Sequence, residues 1–441
     1  MKLLAIALTL AGVVLMFFVR REYKLAIMFM ATILLTPLNL PFKSIPPSCA
    51  LSVGFLLSEL KYLKVHWRRI CNSVILPFMV LVALSFFATV FTSPHLRDIN
   101  LLGFYGLSYL LTKQMALVYS FLALRRCRSI RPLLTVSFIA LVLMTLVGIA
   151  NYIMGYSFYV EELLDNSLSF LTTSRFRVQA TFNNPFDYGY ICVLLALLHL
   201  YGFSKNMEDR YMFAMSQLCC LFGVLSCNCR TILLCYLVCV VVYALSMKRA
   251  WKIKLTVLGG FVAVSVILLF FVPVAQNAFL SMLSIFDSSS VSEGSSLTMR
   301  ATQLATVLFY ISGNLAFGRG LHFFGMDMGW DGGSGLEIDP DLYGLEGVYL
   351  SLLLEHGIVG LLLYLAVLAL LIVFIFRYRR LGRKLYALGL SSIVLYILFG
   401  FMTGELYSTT PTFYILGYVV ANLTLRKRYY ELKFLNAKSE E

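Results

Sequence analysis

Apolar blocks of about the length of a bilayer crossing recur from one end of this sequence to the other, separated by short polar connections. They run roughly 3 to 19, 25 to 40, 46 to 60, 72 to 93, 100 to 122, 132 to 154, 186 to 203, 211 to 226, 231 to 247, 255 to 274, 347 to 376, 385 to 403 and 409 to 425. A helix needs about 20 apolar residues to cross the hydrocarbon core. Backbone amides in lipid must be satisfied internally, and these blocks are too continuous in Leu, Ile, Val and Phe for the alternation of a porin-like barrel. The pattern predicts an all-α polytopic integral membrane protein of about thirteen transmembrane helices, counted to within one. Composition agrees: 60% of the 441 residues are hydrophobic and 13% charged, half the charge of an ordinary soluble domain at about 25%. Residues 1–441 read as a single membrane domain. The first block, flanked by Lys2 and by Arg20 and Arg21 without a small-residue cleavage pattern, reads as a retained helix.

Basic residues set the expected orientation. Of the 36 Lys and Arg, 27 fall in clusters at every second connection: Arg20 to Lys24, Lys61 to Arg69, Arg125 to Arg131, Lys205 to Arg210, Lys248 to Lys254, Arg377 to Lys384 and Arg426 to Lys438. The positive-inside rule puts those connections in the cytoplasm, with 426–441 as a cytoplasmic tail and the N-terminus outside. The net charge of +14 then reports orientation and contact with anionic membrane lipids; it gives no support for nucleic-acid binding, which needs a soluble basic surface. Two outer connections are long: residues 155–185, and residues 275–346 with a short helix expected at Met299 to Ile311 between Gly/Ser-rich stretches. Compact proteins rarely keep connections of that length without a use.

Five arginines lie against the charge bias at the outer side. Arg230 opens a span in VLSCNCRTILL, where a charge is costly; it either snorkels to the interface or holds an anionic ligand. Arg175 and Arg177 sit two apart in TTSRFRVQATFNNPFDYG, so an extended chain puts both on one face. They either pair with Glu161, Glu162 or Asp165 or present planar forks to phosphate. Arg300 ends GSSLTMR and Arg319 sits in FGRGL, each with acidic residues of the same loop as alternative partners. Glu346 stands where the loop becomes helix, either an acid at a helix start or a proton acceptor. Gly357 and Gly360 read as small residues for tight helix packing. His356 reads as a packed or hydrogen-bonded bundle residue, and Lys113 and Asp187 are too sparse to mark a transport pathway. The ten cysteines read as small buried hydrophobes. No Walker A, H-E-x-x-H or G-x-S-x-G motif occurs, and no cofactor or metal is expected.

An anionic lipid headgroup suits such a layout. Fixed guanidinium groups can balance the charge of a departing diphosphate, and a carboxylate can take a proton from a sugar hydroxyl. RVQATFNNPFDYG, LSCNCRTILL, GSSLTMR, FGRGLHFFG and EGVYLSLLLEHGIVG, in this order and topology, carry a resemblance to the O-antigen polymerase and O-antigen ligase superfamily of bacterial polysaccharide assembly. The resemblance implies a GT-C-like bundle in the bacterial inner membrane, with a metal-independent, inverting site facing the periplasm. It implies undecaprenyl-pyrophosphate-linked oligosaccharides as donor and acceptor, and a flippase and a chain-length regulator as partners in the pathway. Arg230 and Arg300 would engage the pyrophosphate or nearby glycan, with Arg177 or Arg319 assisting. The ligase pattern has His, then Asn, Ser or Gln, then nine residues and G-x-x-G; here Glu346 and Gly347 hold the first two positions, and Gly357 to Gly360 keep the end. This departure favours a repeat-unit polymerase with Glu346 as base. A ligase passing glycan to lipid A core, and a flippase or other transporter, are the alternatives.

Overall fold

The computed structural model describes residues 2–35, 47–71, 75–93, 110–124, 130–157, 177–182, 184–247, 259, 297–321, 323, 342, 345, 347–402 and 409–439. Everything regular among them is helical. In chain order the helices are α1 (Lys2–Phe18), α2 (Arg21–Leu34), α3 (Pro47–Cys71), α4 (Ile75–Thr92), a π turn at Leu110–Gln114 leading into α5 (Ala116–Leu124), α6 (Arg131–Met154), α7 (Pro185–Ser204), α8 (Arg210–Ser226), α9 (Arg230–Ser246), α10 (Leu297–Ile311), α11 (Val348–Arg377), α12 (Arg383–Met402) and α13 (Thr410–Ser439).

Four of them, α6, α7, α11 and α12, are long and apolar enough to cross a membrane by themselves; α1, α3, α4, α8 and α9 contain shorter apolar stretches. An integral membrane bundle is therefore supported, while the block at 255 to 274 and much of that at 100 to 122 lie outside the described residues. Helix boundaries follow local chemistry. Asn184 caps α7, its side chain accepting from the Phe186 amide at 2.9 Å, and Pro185 takes the first helical position, where its missing N–H is not needed. Asp209 caps α8 through the Met212 amide at 2.6 Å, and Gly155 ends α6 in the left-handed conformation.

The centre of the bundle is α7, buried on nearly all sides. It packs against α8, α9 and α12. Small residues make that possible: Cys192 of α7 occupies the space where a Cβ on Gly223 of α8 would stand. Cys219, Cys220, Cys227, Cys229, Cys235 and Cys239 are likewise buried without disulfides, in line with their reading as small hydrophobes. At the periphery α11 leaves Ile358, Leu362, Leu365 and Val373 exposed, as a lipid-facing helix does.

Polar contacts tie the two ends of the bundle. At one end Glu59, 3% exposed, joins Lys24 (2.8 Å) and Arg21 (2.9 Å); the Lys384 ammonium bonds the Ser204 carbonyl, and Arg426 bonds the Leu381 carbonyl at 2.9 Å. Lys205 sits beside Lys384 and Arg426, and burial together with those two charges lowers its pKa. This basic end gathers residues from four of the seven clusters seen in the sequence. His199 and Glu208, 2.8 Å apart and buried, pair with each other inside the bundle. At the opposite end, the loop end, Thr181 bonds the Ile33 carbonyl, Tyr190 shares a hydrogen bond with Thr412, and Gly347 lies beside the carbonyls of Gly400 and Phe401.

Candidate functional site at the loop end of the bundle

Two of the six singled-out residues, Glu346 and Arg175, lie outside the described residues. The helix that Glu346 precedes does begin where expected: Gly347 is its N-cap, at φ +112°, and Val348 its first residue. That dihedral belongs to glycine, since a Cβ there would clash with its own backbone.

The segment that carries Arg177 and the turn before α9 are brought to one place. The Val178 amide donates to the Ser226 carbonyl at 3.1 Å, so the extended stretch carrying Arg177 lies against the turn from which α9 starts at Arg230. Arg177 is exposed, its guanidinium 5.9 Å from the centre of the Phe186 ring. A phosphate arriving there would meet a cation already held over an aromatic face.

Arg300 and Arg319 belong to a second group, on the outer-loop helix. That helix spans Leu297–Ile311, two residues longer than expected at its start. Its apolar side is a small core of Val307, Ile311, Phe323, Leu342 and Leu354. Arg300 lies in its first turn, partly buried. Arg319, exposed, donates through Nε to the Tyr310 carbonyl and stands 5.8 Å from the Phe323 ring. A cation on the last carbonyls of a helix complements its dipole, so Arg319 is tied to the end of α10; the loop carboxylates considered as its partners lie outside the described residues.

The two groups are linked through packed helices. α9 packs on α12, α12 on α11, and α11 on α10. Gly347 sits against the end of α12, between them.

Gly357 permits close packing, as its reading as a small residue expects, and does something further that the sequence did not show: at φ +64°, ψ −166° it breaks α11. The break frees carbonyls before it and amides after it, which in lipid would cost several kcal/mol apiece by order of magnitude if left bare. The 315–320 segment satisfies them. Arg319 and Gly320 amides donate to the Leu354 and Glu355 carbonyls, both at 2.8 Å; Ile358 and Val359 amides donate to the Leu315 and Ala316 carbonyls at 3.0 and 2.9 Å. A Cβ on Gly318 would fall 2.5 Å from the Leu354 oxygen, and one on Gly357 2.5 Å from the Gly318 nitrogen. Gly360 is needed as well, because His356 folds over it at the break. The signal was present as glycines in both FGRG and EHGIVG, but their mutual fit could not be read from either alone. Lys113 and His356, set aside in the sequence, line one cavity between α4, α5, α11 and α13.

The fold and this end of it define a helical membrane protein that presents basic groups and a clasped, broken helix around the start of α11. Residues 215–365, about a third of the chain, match the model of a family described as O-Antigen ligase. The match supports the O-antigen polymerase and ligase superfamily for this chain, with ligase- or polymerase-type activity in general and a place in polysaccharide biosynthesis. It encloses Arg230, Arg300, Arg319, Glu346 and both glycines of the clasp, and leaves out Arg177 and Lys113. No curated protein matches the chain.

Proposed function

We propose that this protein is a polysaccharide repeat-unit polymerase of the bacterial inner membrane. It transfers a growing glycan from undecaprenyl pyrophosphate to the non-reducing-end hydroxyl of another lipid-linked repeat, at the periplasmic face. Glu346 takes the hydroxyl proton as the oxygen bonds the anomeric carbon from the side opposite the diphosphate. The anomeric carbon–oxygen bond breaks, and undecaprenyl diphosphate leaves with the electron pair, its charge balanced by Arg230 and Arg300 with Arg177, Arg175 or Arg319 assisting. No metal is required, because fixed guanidinium groups supply the positive charge.

The carrying observation is the order Arg230, Arg300, Glu346, Gly357, Gly360 inside the family match, with a carboxylate where the ligase pattern has histidine. The family's description as a ligase favours a second reading, transfer to lipid A core.

One experiment separates them. Purified protein is given defined undecaprenyl-pyrophosphate-linked repeats, alone or with lipid A core, and product length is read. A ladder without lipid A core is the expected result; product only with lipid A core establishes the ligase instead. Glu346→Gln should lower the rate by about 100-fold or more, the usual worth of a positioned base, while donor still binds. Arg230→Lys, which keeps charge and loses the planar fork, should weaken donor engagement. Parental rates in both variants would remove these residues from the site.

A further inference from the structure

The cavity between α4, the π turn before α5, α11 and α13 encloses about 850 Å³ including its open mouth. Polar and apolar side chains share its lining: Ser85, Lys113, Gln114, His356 and Tyr364 among the first, Phe78, Leu81, Leu363, Val367 and Leu368 among the second. The lining runs along α11 from Leu352 to Leu368 through the break at Gly357, where the chain bends enough to bring the Tyr349 and Tyr364 rings to 6.2 Å. Lys113 is 8% exposed and His356 6%. Gln114 donates to Ser85 at 3.1 Å, while its Oε1, and the Tyr364 hydroxyl further along the wall, have no hydrogen-bond partner among the described residues.

Among the described residues, Arg177, Arg300 and Arg319 do not line this space. Leu354, about 200° around the helix from Leu352 at 100° per residue, is buried against α10. The cavity and the arginine-bearing helix thus occupy opposite sides of α11.

We propose that this cavity is a lipid seat in its own right, holding a polyprenyl phosphate by its head. Lys113 and Tyr364 donate to phosphate oxygens, Gln114 Oε1 accepts from a hydroxyl of the attached sugar, and the chain lies along the apolar wall of α4 and α11. An ammonium, a phenol and an amide oxygen above an apolar trough match a head with both acceptors and donors and a long hydrocarbon tail. The inference rests on the transferase reading, in which two lipid-linked molecules must be present at once, and it assigns one of them a place apart from the arginines.

The test uses the full chain in lipid nanodiscs, with bound lipids counted by native mass spectrometry after titration with undecaprenyl phosphate, and with phosphatidylglycerol as competitor. The parental protein should retain the polyprenyl lipid against the phospholipid. Lys113→Met should lower its retention about tenfold, equivalent to about 1.4 kcal/mol, and Lys113→Arg should restore most of it. Val82→Trp, which fills the trough and leaves Lys113 in place, should lower retention to a similar degree. Gly313→Ala, in the turn after α10 with open space around its Cβ position, should leave retention unchanged. Parental retention in both Lys113→Met and Val82→Trp, or equal displacement by phosphatidylglycerol, would overturn the seat. A protein that shows Lys113-dependent retention yet never extends lipid-linked repeats would keep the seat and sink the polymerase reading.

Discussion

At the residue scale, burial decides which charges are structural. Glu59 is enclosed with Lys24 and Arg21 and accepts from both. Removing one member of such a set leaves a charge without its counterpart in the interior, at a cost of about 3–5 kcal/mol. Glu59→Gln should therefore lower the melting temperature of the detergent-solubilised protein sharply, and Lys24→Met should recover part of the loss; a melting temperature within a degree or so of the parent's would show the set contributes nothing. The same scale shows what was readable beforehand. Arg230 stands at a block boundary, so its place at the start of α9 followed from hydropathy alone. The Tyr310 carbonyl as partner of Arg319 did not, because a carbonyl nine residues back leaves no trace in composition.

Elements bring in the geometry that single residues lack. α11 is apolar enough to be read as one uninterrupted span, yet its 30 residues exceed the roughly 20 that a crossing needs. The break at Gly357 accounts for it: four backbone hydrogen bonds to the 315–320 segment fix the outer-loop helix against the first turns of α11. Gly357→Ala and Gly318→Ala each place a methyl group within about van der Waals overlap of backbone and hold alanine at positive φ, a strain of order 1–3 kcal/mol before any bond is lost. Both should cut chain extension severely and destabilise the protein. Gly313→Ala, in the neighbouring turn with open space around its Cβ position, should do neither. Equal activity in all three would mean the clasp does not position the site.

For the whole molecule, the question is which side each end faces. The basic end gathers Arg21, Lys24, Lys205, Arg377, Lys384 and Arg426, and the loop end gathers Arg177, the start of α9 and the clasp. If the basic end is cytoplasmic, a membrane-impermeant thiol reagent applied to spheroplasts should label Ser312→Cys, in the exposed turn after α10, and reach Arg380→Cys only after permeabilisation. The reverse pattern would turn the protein over and exclude a periplasmic site. Eight of the ten cysteines are buried, and those eight give little background.

Membrane residence, the helical class, the alternation of basic connections and the helix within the outer loop were all determined by the sequence alone, because transfer of an apolar segment into lipid is favourable segment by segment and needs no partner. Tertiary structure decided the rest. The clasp pairs residues some 40 apart, and the cavity joins Lys113 to His356 across 243 positions. Such juxtapositions are set by which helix faces pack together, and the near-uniform hydrophobicity that announces a membrane helix erases the amphipathic stripe that would have told those faces apart.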